Sequence, residues 1–118
     1  MSKIKSFQDL EVWQVAHALV LDTYRVSARF PPAERFGLTD QVRRASVSVP
    51  ANIAEGFARR GKKEKLHFLN IAQGSLSELS YYFILLRDLG LMGDISALLD
   101  RCDHIARMLH NLSLRIGE

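Results

Sequence analysis

Cysteine is nearly missing from this 118-residue chain. Cys102 stands alone, so no internal disulfide can form, and a free thiol fits a reducing compartment. Only three prolines and seven glycines interrupt the sequence, which favours long regular elements over a loop-rich fold. No apolar run approaches the roughly 20 residues that a bilayer-spanning helix needs. The first ten residues carry Lys3, Lys5 and Asp9 and lack the apolar stretch of a secretory leader. These absences point to a cytoplasmic location with no membrane partner.

Patterns that mark catalysis or metal binding are missing as well. There is no Cys-x-x-Cys or His-Glu-x-x-His motif, no Walker loop and no dinucleotide-binding glycine pattern. His17, His67, His104 and His110 do not form a ligand set, because His104 and His110 fall on opposed faces of one helical segment. Gly74-Ser75 lies inside a helical pattern, not at a strand-to-helix elbow. Asp100 and Asp103 share a solvent-facing side. The expectation is a protein with no catalytic residues, no metal, no cofactor and no small-molecule substrate. A remote enzymatic alternative, a small helical ribonuclease, rests on Arg60 and His67.

What is present is helical periodicity. Apolar residues make up 47% and charged residues 25% of the chain, enough for one core in a single domain spanning residues 1–118. The first helix is expected from Asp9, as N-cap, to Arg29, ended by Phe30-Pro31-Pro32. Trp13, Ala16, Val20, Tyr24 and Ser27 form one stripe on it, and Val12, Val15, Leu19, Val26 and Phe30 a second. After a short lead-in at Ala33–Phe36, the second helix covers Thr39–Ala58, with Thr39 as its cap. Its core face is Leu38, Val42, Ala45, Val49, Ile53 and Phe57, and a kink is expected at Pro50. The third helix spans Lys62–Leu89. One stripe is Phe68, Leu69, Ala72, Leu76, Leu79, Phe83 and Leu86, a second is Ile71, Ser75, Tyr82, Leu85 and Leu89, and Gly90 is the C′ residue. The fourth runs from Asp94, its N-cap, to Arg115 with one narrow stripe through Ile95, Leu98, Leu99, Cys102, Ile105, Leu109 and Leu112.

Short connections between long helices give an all-α, antiparallel up-down-up-down four-helix bundle. Two apolar stripes on helices one and three exceed what one core needs, so assembly into a homo-oligomer is expected, with Val12, Val15, Leu19, Ile71 and Tyr82 at the interface. The alternative is irregular packing that buries both stripes within one chain.

Arg44, Ser48, Asn52 and Glu55 lie in one line along the second helix, beside its apolar stripe. Arg44 and Glu55 are too far apart to pair, so each needs a partner from another helix or subunit, with Glu78 the natural mate for an arginine. With Arg43, these residues are assigned to a structural or interface polar network rather than to an active-site acid. Small Gly74 and Ser75 would let another backbone come close.

Three segments carry a family resemblance. Phe7-Gln8-Asp9-Leu10-Glu11-Val12-Trp13 resembles the opening of the bacterial four-helix bundle proteins encoded in intervening sequences of 23S ribosomal RNA genes. Gln41 through Gly56 is similar to that family's central signature, and Phe68 through Leu79 to its second. The resemblance implies a four-helix bundle and a ring-shaped homopentamer. A relative of this architecture is the accessory variability protein of diversity-generating retroelements, which binds a reverse transcriptase and nucleic acid. Two positions depart from the pattern: Gly61 stands where the family has a serine, and Lys65 where it has an aromatic. Gly61 weakens the expected cap of helix three.

The net charge is +3. Arg59, Arg60, Lys62, Lys63 and Lys65 cluster at the turn between helices two and three, relieved only by Glu64. They either contact phosphates in a salt-sensitive, sequence-independent way or merely solvate the turn, and a ring would repeat the cluster in every subunit. No aromatic is interleaved with them as a base-stacking platform. The partners expected are therefore a second copy of the chain and RNA or DNA, or a nucleic-acid-processing protein. The competing reading is a protein-interaction scaffold that binds no nucleic acid.

Overall fold

The computed structural model describes residues 3–118, and within them the chain is all-helical. Four helices follow one another: α1 Glu11–Ser27, α2 Leu38–Ala58, α3 Lys62–Asp88 and α4 Ser96–Gly117. Short 3-10 turns at Phe7–Asp9 and Pro32–Glu34 precede α1 and α2. Each helix packs on its chain neighbour, and α1 also meets α4, while the diagonal pairs α1–α3 and α2–α4 keep their Cα atoms more than 8 Å apart. This is the square of an up-down-up-down bundle, drawn out to 49 × 23 × 22 Å. The α2–α3 pairing is the most extensive and the α1–α4 seam the slightest.

Local chemistry sets the ends. Asp9, expected to cap α1, instead closes the 3-10 turn: Oδ2 accepts from Lys5 N at 2.9 Å and Ser6 N at 3.0 Å. Those two backbone donors hold the Asp9 carboxyl below its ordinary range. α1 ends at Ser27, short of the expected Arg29, and Pro31-Pro32 opens the next 3-10 turn; Gly37, not Thr39, occupies the N-cap position of α2. Pro50 is buried and α2 is unbroken across it. The Asn52 amide donates to the Ser48 carbonyl at 2.8 Å and to Ser48 Oγ at 3.0 Å on the turn that spans the proline. Gly90 has φ +78°, with Leu91 N donating to Leu86 O at 2.9 Å and Gly90 N to Arg87 O at 3.0 Å. That pair of bonds is a Schellman cap, which favours glycine at this backbone conformation. Ile95, not Asp94, occupies the N-cap position of α4, while Asp94 Oδ1 accepts from Ser96 N at 2.9 Å just before it.

The core follows the expected stripes on α2, α3 and α4: Val42, Ala45, Val49 and Ile53; Leu69, Ala72, Leu76, Leu79, Phe83 and Leu86; Ile95, Cys102, Ile105 and Leu109. On α1 the expectation fails. Val12 and Leu19, placed at an interface between copies, are 5% and 2% exposed and belong to the core of the single chain. A helix in a square bundle faces two neighbours at once, so its buried arc straddles both stripes. Val15 and Tyr82 are half-buried against the same core, and of the five assigned residues only Ile71 is exposed.

Each adjacent pair of helices is also tied by polar side chains. Arg43 Nε donates to Ser27 Oγ at 2.7 Å (α2–α1), Ser48 and Ser75 hydroxyls meet at 2.8 Å (α2–α3), and Gln73 Nε2 donates to the Ala106 carbonyl at 2.8 Å (α3–α4). Arg101 reaches Asp22 at 2.6 Å across the slight α4–α1 seam. Among the described residues no buried side-chain polar atom lacks a partner.

Arg101 first, and Arg25 after it, hold the Asp22 carboxyl below its ordinary range. A lowered folded pKa stabilises the fold above the unfolded value near 4 and ceases to do so as pH falls through the folded value. Asp22→Asn is expected to lower stability at neutral pH by less than about 1 kcal/mol, because the pair is partly exposed. In urea titrations the gap from wild type should close in acid; a gap that widens in acid would contradict the role of this carboxylate.

Candidate nucleic-acid interface

The antiparallel topology brings three parts of the chain to one end of the rod: the residues before α1, the α2–α3 turn and the last turn of α4. Lys3, Lys5 and Arg115 therefore join the basic turn at that end, all exposed. The turn itself is short and fixed by close packing. Gly56 is buried where α2 crosses α3, and a Cβ there would stand 3.2 Å from the Phe68 Cβ and 3.4 Å from the Lys65 carbonyl oxygen.

The five cations of the turn divide into two groups. Lys65 Nζ donates to the Phe57 carbonyl at 3.0 Å and the Gly56 carbonyl at 3.4 Å, and lies 5.7 Å from the Phe57 ring centroid. It thus serves the Phe57 carbonyl at the end of α2 and adds a second donor to the Gly56 carbonyl, which already accepts from Arg59 N at 3.2 Å, and its charge is directed inward. Arg59 pairs with Glu55 at 3.0 Å and sits over the Phe68 ring at 4.9 Å. Arg60, Lys62 and Lys63 are exposed, with no ion-pair or hydrogen-bond partner among the described residues. The start of α3 has no side-chain cap at Gly61, so its first N–H groups face the same solvent as these three cations.

Of the polar line on α2, Ser48 meets Ser75 of α3, in a register that also sets Gln41 opposite Tyr82 and Arg59 opposite Phe68. The line's charged members find partners close along the chain, contrary to expectation. Arg44 pairs with Asp40 at 3.2 Å and Glu55 with Arg59, both one turn away. Glu78 is exposed and forms no ion pair with an arginine. Arg43 belongs to the other side of α2, donating to Ser27 and, at 3.3 Å, to the Tyr24 carbonyl, with its guanidinium over the Tyr24 ring at 4.6 Å. A partner one turn away on the same helix is the least costly to hold, which is why the distant pairing loses.

Among the described residues no three His, Cys, Asp or Glu side chains gather to hold a metal ion. No described helix is long and apolar enough to cross a membrane. Burial pushes the Cys102 thiol up, and the side chain is part of the core. His67 sets its ring edge-on to Phe68 at 5.3 Å and makes no hydrogen bond with Arg60.

The family model for the 23S rRNA-intervening sequence protein matches residues 8–111. The chain belongs to that family. No curated protein matches it. In this intervening-sequence protein the central signature, Gln41–Gly56, is the body of α2, and Phe68–Leu79 is the stretch of α3 that α2 lies against. The opening segment places Phe7 and Trp13 in edge contact at 5.1 Å, with His17 stacked on Trp13 at 4.9 Å. These rings border a shallow apolar groove whose other wall is Val47, Pro50, Ala51 and Ala54 of α2. Sequence periodicity did not single out this groove. Its signal was the small, apolar outer face of α2, at Val47, Ala51, Ala54 and Ala58.

Gly56→Ala is expected to destabilise the protein by roughly 1–3 kcal/mol, since the added methyl must push two packed helices apart. Thermal unfolding of the variant tests this. An unchanged midpoint would mean that the α2–α3 contact yields freely.

Proposed function

We propose that this protein is a non-catalytic, homo-oligomeric bundle that binds RNA or DNA through the basic end of each subunit. The observation that carries the reading is the trio Arg60, Lys62 and Lys63, without an ion-pair partner among the described residues, at the α2–α3 turn beside the uncapped start of α3. Three cations of one subunit give weak, nonspecific affinity. Several subunits presenting the same end would act together, because the first contact raises the effective concentration of the next.

The assembly surface in this reading is the outer face of α1 and α2, in place of Val12 and Leu19. Val47, 40% exposed, and Ala51 form an apolar strip along α2 that walls the Trp13 groove, the kind of patch that joins protein surfaces. A ring of five is what the resemblance to the architecture implies. The same strip supports the second reading, a scaffold that binds only protein, which differs in leaving the cations idle.

Replacing Arg60, Lys62 and Lys63 together by Gln should abolish RNA and DNA retention in filter binding, and wild-type affinity should fall steeply with salt. Retention that survives the triple replacement would move the interface elsewhere. Val47→Glu is expected to dissociate the oligomer, seen by light scattering, while circular dichroism stays helical. An assembly that tolerates this charge does not use the α1–α2 face.

A further inference from the structure

The α2–α3 turn holds more than cations. Arg59, the first residue after α2, lays its guanidinium over the Phe68 ring, with Cζ 4.9 Å from the centroid. Glu55 Oε2 accepts from Arg59 Nη2 at 3.0 Å. The guanidinium is therefore held by a carboxylate at Nη2 and by an aromatic ring beneath Cζ, yet the Arg59 side chain remains 43% exposed. His67, exposed and one helical turn beyond Lys63, meets the same Phe68 ring edge-on at 5.3 Å. Glu55 offsets the charge of Arg59, which suits it less to a phosphate than its neighbours Arg60, Lys62 and Lys63. What it offers instead is a fixed, flat, cationic surface.

We infer that Arg59, seated on Phe68, is a stacking platform for an unpaired base, and that the basic end binds single-stranded nucleic acid in preference to duplex. The inference rests on the nucleic-acid reading above and names the form of the ligand. A duplex presents its phosphates outward but keeps its base faces stacked inside, so it gains from Arg60, Lys62 and Lys63 and nothing from Arg59. An unpaired nucleotide offers a phosphate and an open ring face together, and guanidinium planes accept such faces as aromatic rings do. Because Glu55 and Phe68 already fix the guanidinium in the free protein, little ordering remains to be done on binding.

Fluorescence anisotropy tests this with labelled single-stranded RNA and DNA oligonucleotides and with duplexes of the same sequence, at one salt concentration. Single strands of either sugar should bind about tenfold tighter than duplex, the effect of roughly one stacked base. Arg59→Lys keeps the cation and the pairing with Glu55 but loses the plane. It should bring single-strand affinity down about tenfold, to the duplex level, with duplex binding unchanged. Phe68→Leu, verified as helical by circular dichroism, should do the same. Equal affinity of wild type for both forms, or an Arg59→Lys protein that keeps the preference, overturns the stacking platform while phosphate binding stands. Absence of binding to every form overturns the nucleic-acid reading itself, and this inference with it.

Discussion

At Gly56 the backbone of α2 comes so near α3 that a Cβ would stand 3.2 Å from the Phe68 Cβ. Much of the molecule depends on that closeness. It lets the two longest-paired helices lie flat against each other, with the Ser48 and Ser75 hydroxyls bonded at mid-length. It also shortens the turn, so that Lys65 reaches back to the carbonyls that end α2 and Arg59 reaches forward to Phe68. With those two cations engaged, Arg60, Lys62 and Lys63 are left at the tip. Packing between two helices thus determines which positive charges face solvent.

α2 divides its circumference among four tasks. Val42, Ala45, Val49 and Ile53 fill the core. Ser48 and Asn52 bond on the α3 side, and Arg43 ties to Ser27 and Tyr24 on the α1 side. The remaining outer face is small and apolar, at Val47, Ala51 and Ala54. At the flanks of this face Arg44 pairs with Asp40 and Glu55 with Arg59, just beyond the end of α2, so both charges are matched.

The bundle was legible in the sequence because its signals are local. The Pro31-Pro32 pair, Gly90 and the 3.6-residue stripes mark helix ends and core faces without reference to the rest of the chain. Features that depend on which helix lies beside which were not legible in the same way. Val12 and Leu19 read as a surplus stripe because periodicity does not say how wide an arc two neighbours will cover. Arg44 and Glu55 were assigned distant mates although Asp40 and Arg59 stood one turn away. The Arg59–Phe68 contact crosses a turn and has no periodic signature; only the α2–α3 register brings the two together. Lys65 looked like one more surface cation for the same reason.

If the apolar outer face of α1 and α2 joins copies of the chain, the basic ends are gathered by protein contacts and do not need nucleic acid to assemble. Native mass measurement of the wild-type protein, before and after nuclease treatment in high salt, tests this most directly. The expected result is an integer multiple of the 13.4 kDa chain that persists when any nucleic acid has gone, as apolar contacts resist screening. A 13.4 kDa monomer at every concentration, or an assembly that falls apart with the nucleic acid, would contradict it.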